Sequence, residues 1–341
     1  MVKVNKLGMV LCKTSLGFEI EGVLNPAAIL EDNLVHLFYR AVGKGNYSSI
    51  GYCQLTNLLE IHTRKDEPII FPQFPYESQG VEDARIVKIE GTYYLSYTGY
   101  DGVNALGCLA TSKDMITWEK HGVIVPQLTH EEFMRLAKTK GLLNEKYTRY
   151  NHNGGSPEIH GKKVFIWDKN VIFFPRKINN KFYFLHRIKP DIQIVCVNDF
   201  AELTPTFWQN YCIQLKDNIL LTPKYTHEIS YIGGGCPPIE TKEGWLLVYH
   251  SVHDTIKGFV YSACAALLDL ENPQKEIARL PYVLFQPDQE WEITGEVNNV
   301  CFPTGAVVVD DTLYIYYGAA DEQIACASVS ISELLEELTH K

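Results

Sequence analysis

Short apolar strands that stop abruptly at a polar residue or a glycine recur along the chain. Five of them share one pattern: Asn33–Arg40, Thr92–Thr98, Lys181–Arg187, Gly244–His250 and Thr312–Gly318. Each is rich in β-branched and aromatic residues, as strands are. Aligned on the ring just before the end (Tyr39, Tyr97, His186, Tyr249 and Tyr317), they close on Arg40, Thr98, Arg187, His250 and Gly318. The steps between closing residues are 58, 89, 63 and 68. Strand repeats at this period, with no helical pattern between most copies, predict an all-β fold: a single five-bladed β-propeller, one blade per repeat. Equivalent strand ends then meet on one axis. Three of the five closing residues can carry positive charge, so the axis is expected to hold an anion.

Further strand patterns follow ten to fifteen residues after the repeats, at Ser49–Gln54, Leu106–Ala110, Gln193–Val197 and Ile324–Ser328, as the next strand of a meander would. Two stretches break the pattern. In the longest step, Thr129 with Glu132 forms a capping box ahead of the apolar face of Phe133, Leu136 and Ala137, which predicts a helical insertion over about 128–150. The polar, aromatic and glycine-containing segment Tyr147–Gly155 follows, read either as a wall or lid of a binding site or as a surface loop. At the C-terminus, Ser332 is expected to cap a short helix over about 332–339 with Leu334, Leu335 and Leu338 on one side. No linker or low-complexity stretch divides the chain, so residues 1–341 are expected to form one domain. The two helices are the surfaces on which a homo-oligomer would form.

Composition narrows the partners. Hydrophobic residues at 46% supply a large core, and a formal charge of −10 argues against a nucleic-acid surface, though not against a local basic pocket. The N-terminus lacks the apolar stretch of a signal peptide and no run is long enough to span a bilayer, so a cytoplasmic protein without membrane association is expected. Nine singly placed cysteines, without CxxC or Cys/His ligand spacing, read as buried reduced thiols and not as a metal site.

Among candidate chemical groups, Gly80-Val-Glu-Asp-Ala-Arg85 gathers Glu82, Asp83 and Arg85 at the start of a strand. On a regular strand Glu82 and Asp83 point to opposite sides, and Asp83 shares a side with Arg85. That pairing is either a catalytic carboxylate beside a guanidinium or an ion pair that braces a blade. Gly233-Gly-Gly235 lacks the spacing and the Lys-Ser/Thr of a nucleotide loop. Trp118, in Ser112–Trp118, reads as a packing residue. His152 and Asn153, with the glycines that follow, are either a ligand contact or a turn, and His253 and Asp254, just past the fourth repeat, are further candidate ligand contacts.

The order of Asn25-Pro-Ala-Ala28, Tyr39-Arg40, Gly80–Arg85, Trp167-Asp-Lys-Asn170, Phe174–Ile178, Leu185-His-Arg187, Gly233–Pro238, Tyr249-His250, Gly295–Gly305 and Tyr317–Asp321 resembles glycoside hydrolase family 130, the mannoside phosphorylases and related β-mannosidases. The resemblance covers about Asn25 to Ala327, with Ala84 standing where many members carry proline. It implies an inverting phosphorylase that needs no cofactor and uses inorganic phosphate as co-substrate. Such an enzyme cleaves a β-mannoside, here a β-1,2-mannobiose or short oligomannoside, to α-mannose 1-phosphate. Asp83 is then the single catalytic acid, passing its proton through the mannosyl 3-hydroxyl. Asn25, Arg40 and Asp321 hold the mannosyl ring, and Arg85 and Glu228 are further sugar-contact candidates. Lys169, Arg187 and His250 match phosphate-holding positions, with Tyr231 as a hydroxyl donor. A phosphorylase needs cations that aim its nucleophile and no second carboxylate base. The alternatives are a β-mannosidase that uses water, for which Glu228 is the candidate base, a phosphorylase of β-1,4-mannosides, and a non-catalytic glycan-binding propeller.

Overall fold

Strands with apolar residues on both faces must be covered on both faces, and that requirement governs how this chain stacks. The computed structural model describes residues 1–150, 156–256 and 258–340. The fold is mostly β. The N-terminal strand β1 (Asn5–Leu11) pairs with the last strand of the chain, not with its sequence neighbour. The next strands run as two antiparallel sets: β2 (Gly22–Glu31), β3 (Leu34–Gly43), β4 (Tyr47–Thr56) and β5 (Glu60–Arg64), then β6 (Gly80–Ile89), β7 (Thr92–Tyr100), β8 (Ala105–Ser112) and β9 (Glu119–Val123). One parallel pair, Ser48 with Gly80, links these two sets into a single eight-stranded sheet. A small hairpin, β10 (Glu158–Ile159) and β11 (Lys162–Lys163), precedes a third set of β12 (Lys169–Phe173), β13 (Phe182–Arg187), β14 (Ile192–Val197) and β15 (Ile219–Leu221). The fourth comprises β16 (Tyr231–Gly234), β17 (Ile239–Glu240), β18 (Trp245–Thr255), β19 (Gly258–Leu268) and β20 (Glu276–Arg279). The fifth, β21 (Cys301–Val309), β22 (Thr312–Ala319) and β23 (Gln323–Ser330), is completed by β1.

Five apolar clusters fill the spaces between successive sets, and alternation along each strand feeds two of them. On β13, Phe184 packs towards the second set and Leu185 towards the fourth. On β22, Tyr317 joins the core shared with the fourth set, while Tyr316 joins the core shared with the first. Phe38 and Tyr39 divide in the same way between the second and fifth sets.

Helices cover the edges. α1 (His130–Ala137) starts at Thr129, whose hydroxyl accepts from the Glu132 N–H at 3.2 Å while Glu132 accepts from the Thr129 N–H at 2.7 Å. α2 (Lys146–Arg149) follows, and α3 (Pro205–Ile213) packs with α1 over the core between the second and third sets. α4 (Glu290–Ile293) is one turn, and α5 (Ile331–Thr339) lays Leu334, Leu335 and Leu338 on the core of the last two sets. The cap of α5 is Ser330 and not Ser332: Ser330 accepts from the Glu333 N–H, whereas the Ser332 N–H goes to Asp311. The helix begins one residue earlier than the sequence suggested, because β23 runs directly into it.

Four fully buried glutamates repeat one device. Each lies ahead of the first strand of its set, by three residues for Glu19, Glu77 and Glu228 and by nine for Glu292, and accepts a hydrogen bond from the tyrosine that precedes a repeat-closing residue. The pairs are Tyr39–Glu19 at 2.9 Å, Tyr97–Glu77 at 2.6 Å, Tyr249–Glu228 at 2.5 Å and Tyr317–Glu292 at 2.6 Å. A cation on an outer strand of the set completes each clamp: Arg64 at 2.8 Å, Lys120 at 2.7 Å, Arg279 at 3.3 Å and, from the N-terminal β1, Lys6 at 2.6 Å. In the third set, His186 occupies the tyrosine position and bonds Asp168 at 2.8 Å and Tyr211 at 2.8 Å. Removing one partner strands a buried charge, at about 3–5 kcal/mol. Lys120→Met is therefore expected to lower unfolding stability in urea by about that amount, and Tyr97→Phe by about 1–3 kcal/mol. A loss within about 0.5 kcal/mol for Lys120→Met would show that the clamp does not hold the sheet.

Candidate active site

Only Arg187 ends its strand as the repeat pattern suggested, since β3, β7, β18 and β22 run on to Gly43, Tyr100, Thr255 and Ala319, yet each repeat-closing residue faces a fixed position on the first strand of its set. The pairs are Arg40 with Leu24, Thr98 with Glu82, Arg187 with Lys169, His250 with Gly233 and Gly318 with Phe302. Just past these pairs, the first strands of the first three sets each carry a bulge, and the bulged residue adopts a left-handed backbone: Asn25 at φ 48°, Asp83 at φ 53° and Asn170 at φ 56°. Asn and Asp tolerate this region better than other side-chain-bearing residues, and a bulge re-aims the side chain it carries. The three side chains consequently leave the regular alternation and meet. Asn25 Nδ2 donates to Asp83 Oδ1 at 2.8 Å.

They line a cavity of about 250 Å³, shared with Arg40, Asp321, Trp167, Lys169, Arg187, Lys189, Tyr231, Tyr261 and Phe302. Its two carboxylates lie among cations. Arg40 pairs with Glu82 at 2.9 Å and approaches Asp83 at 3.9 Å, and Lys169 reaches Glu82 at 3.3 Å. Glu82 is thus a strut between Arg40 and Lys169. The bulge overturns the expectation from a regular strand, since Glu82 and Asp83 both turn towards Arg40. Arg85 turns under the cavity floor instead of towards the Asp83 carboxylate. It donates to the Asp83 carbonyl at 2.8 Å and to the Gly235 carbonyl at 2.6 Å. Of the buried donors without an acceptor among the described residues, Arg85 Nη2, Asn170 Nδ2 and Arg187 Nε lie at this cavity or directly behind it. Buried donors without partners are rare, and a group of them suits a ligand rich in acceptor oxygens.

Arg187 donates to His250 Nε2 at 3.2 Å, and because arginine cannot accept, that ring nitrogen is the acceptor and the imidazole is neutral. Burial, with Arg187 and Arg85 nearby, lowers the His250 pKa well below its ordinary value. His250 therefore adds no positive charge to the cavity, contrary to the expectation from its position. It props Arg187 from behind, packed on Phe302 with ring centroids 4.5 Å apart. Gly233 opposite is required: a Cβ there would lie 2.4 Å from the His250 ring and 2.8 Å from Arg187 Cδ. Burial pushes the Asp83 carboxyl up, but Lys169, Arg40, Arg85 and the Asn25 hydrogen bond outweigh it and leave the pKa below its ordinary value. Asp321 moves the other way, to about 6, through burial and the neighbouring acids Asp83 and Glu82, against Arg40 and Lys169.

The structure thus brings Asn25, Arg40, Asp83, Lys169, Arg187, Tyr231 and Asp321 to one cavity, with Arg85 and His250 directly behind its wall. Glu228 is a correction. Its carboxylate is consumed by Tyr249, Arg279 and the N–H groups of Lys224 and Tyr225, so it contacts neither a sugar nor a water in the cavity. His253 and Asp254 lie on the β18–β19 hairpin and are not among the cavity-lining residues. His152 and Asn153 lie outside the described residues. Trp118 packs edge-on against Phe38 at 5.7 Å. Sequence reasoning missed Lys189, two residues past the end of β13, and saw Asn170, which repeats the bulge position of Asn25 and Asp83, only as part of a motif. Trp167, under Lys169 at 5.7 Å, was seen only as part of a motif.

Comparison with known proteins identifies the family. Residues 18–340 match the sequence profile of glycoside hydrolase family 130, described as β-1,4-mannooligosaccharide phosphorylase. Two relatives come from Thermoanaerobacter sp. (strain X514). A 1,2-β-oligomannan phosphorylase is 33% identical over 98% of this chain and 99% of its own, and a β-1,2-mannobiose phosphorylase is 35% identical over 92% and 91%. The solved β-1,2-mannobiose phosphorylase of Listeria innocua, in complex with β-1,2-mannobiose, shares the fold at a TM-score of 0.73, with 24% identity over 98% of this chain and 99% of that one. With a profile match over nearly its whole length and full-length relatives at a third identity, the chain belongs to glycoside hydrolase family 130.

Proposed function

We propose that this protein is an inverting phosphorylase of β-1,2-mannobiose or short β-1,2-oligomannosides, working as one catalytic domain on a five-bladed β-propeller, each antiparallel set being a blade. The observation that carries the reading is the cation-rich cavity around Asp83. Arg40, Lys169 and Arg187 line it, and Arg187 Nε and Asn170 Nδ2 are unpartnered donors there. In the reaction, a phosphate oxygen bonds to C1 of the mannosyl ring as the glycosidic C–O bond breaks on the opposite face. The departing oxygen receives the Asp83 proton by way of the ring's 3-hydroxyl. Cations aim and neutralise the nucleophile, so no carboxylate base is needed. A water-using mechanism would need such a base, and Glu228 is already committed to its clamp. A neighbouring groove of about 700 Å³ shares Arg40, Val297 and Asp321 with the cavity and offers room for the remaining sugars.

On linkage, the profile's description reads β-1,4, whereas the two full-length relatives are named for β-1,2 substrates. The relatives weigh more, because a profile label covers many members at once. Among the described residues no helix is long and apolar enough to cross a membrane. A cytoplasmic setting, where phosphate is plentiful, goes with the reading.

Incubation with β-1,2-mannobiose is expected to give α-mannose 1-phosphate only when phosphate is present, with β-1,4-mannobiose slower by more than about tenfold. Turnover to free mannose that ignores phosphate would refute the phosphorylase reading. Asp83→Asn is expected to lower kcat by about 100- to 10,000-fold with the fold intact by circular dichroism. Arg187→Ala should raise the KM for phosphate by about tenfold or more while sparing the KM for the mannoside. The depressed Asp83 pKa gives a signed expectation. A bound phosphate dianion offsets the surrounding cations and raises that pKa, so more of the acid is protonated at a given pH. The alkaline limb of the rate profile should therefore lie at higher pH in saturating than in limiting phosphate, and a limb that stays put or moves down contradicts the assignment of Asp83 as the acid.

A further inference from the structure

Lys189 lies in the cavity with no acidic partner among the described residues. Its ammonium position is 3.8 Å from the Tyr231 ring centroid and 5.5 Å from that of Tyr150. The charged groups that face it are cations: Arg187 from the end of β13 and Lys169 from β12. Tyr231 from β16 and Tyr261 from β19 border the same space, and their hydroxyls are bonded to each other at 2.5 Å. His130 of α1 lies across a small adjoining cleft, and its Nε2 meets the Tyr147 carbonyl at 3.2 Å. The nearest carboxyl in sequence, Asp191, is engaged by the Tyr147 hydroxyl at 2.6 Å.

A lysine with cations for neighbours and no counter-ion is placed to gain more from an incoming anion than any residue already paired. Burial, Arg187 and Lys169 lower its pKa to about 6, so in the empty cavity near neutral pH the amine is largely uncharged. Resting on the phosphorylase reading above, we propose that Lys189 is a further phosphate-holding residue and that it takes up a proton from solvent as the phosphate dianion binds. The new ammonium donates to a phosphate oxygen and supplies a charge that Lys169 and Arg187 do not. Keeping that charge absent until the anion arrives spares the empty cavity a further repelling cation beside Arg187 and Lys169.

Calorimetric titration of the full chain with inorganic phosphate tests this, run near pH 8, where phosphate is already dianionic, in two buffers of different ionisation heat. Wild type is expected to take up close to one proton per phosphate bound. Lys189→Met should lose that uptake and bind phosphate about tenfold or more weakly. Its KM for phosphate should rise while its KM for the mannoside stays. Lys189→Arg, permanently charged, should bind phosphate without the uptake. Wild type without uptake, or Lys189→Met with wild-type uptake and affinity, overturns the proposal. Should Lys189→Met fail to fold, Lys189→Arg decides alone: uptake that persists in it assigns the proton elsewhere. Wild type that neither binds nor uses phosphate would defeat the phosphorylase reading itself, an outcome distinct from a phosphate-dependent enzyme that is indifferent to Lys189.

Discussion

A buried carboxylate that ties three strands of a sheet together is the constraint on which the rest of the molecule depends. Glu19, Glu77, Glu228 and Glu292 each hold the tyrosine that precedes a repeat-closing residue, and each is neutralised by a cation from an outer strand. Because side chains alternate along a strand, fixing that tyrosine on one side fixes the following residue on the other. The following residues are Arg40, Thr98, His250 and Gly318. In the third set the Asp168–His186–Tyr211 chain does the same for Arg187. A buried ion pair contributes little net stability compared with an apolar substitute, but it tolerates few other geometries. Here that specificity places the cavity wall.

The clamp of the fifth set also joins the chain's two ends. Lys6 on β1 completes the pair with Glu292, while β1 itself hydrogen-bonds β23. The last sheet is therefore built from both ends of the chain, with β1 as its outer strand. β2 lies beside both β21 and β6. Asn25 then lies between Asp83, to which it donates, and Gly318, where any Cβ would collide with its Oδ1 at 2.1 Å.

Within the cavity, charge is divided by distance and by hydrogen bonding more than by residue type. Glu82 is a carboxylate that acts as a strut, satisfied by Arg40 and Lys169. Asp83, one residue on, is released by its left-handed backbone to face the open space. His250 loses its charge to burial and to Arg187, while Lys189 has no partner to keep its own. An acid, a set of donors without acceptors and a lysine without a counter-ion share one small volume. That combination favours a ligand carrying both hydroxyls and negative charge.

Much of this was legible in the residues alone. The recurring aromatic strands named the sheets, and the ring before each strand end gave the register that brings Arg40, Arg187 and His250 to one place, because a strand's period of two is a local property. The spacing of Glu19, Glu77 and Glu228, 20 or 21 residues ahead of Tyr39, Tyr97 and Tyr249, was also present in the sequence, but nothing in a glutamate's chemistry tells a clamp from a catalytic base. Burial and partners decide that, and these come from strands far apart in the chain. The bulges at Asn25, Asp83 and Asn170 escaped for the same reason. A one-residue mismatch between paired strands exists only once they pair, so the direction of Asp83, the neutrality of His250 and the isolation of Lys189 belong to the tertiary structure.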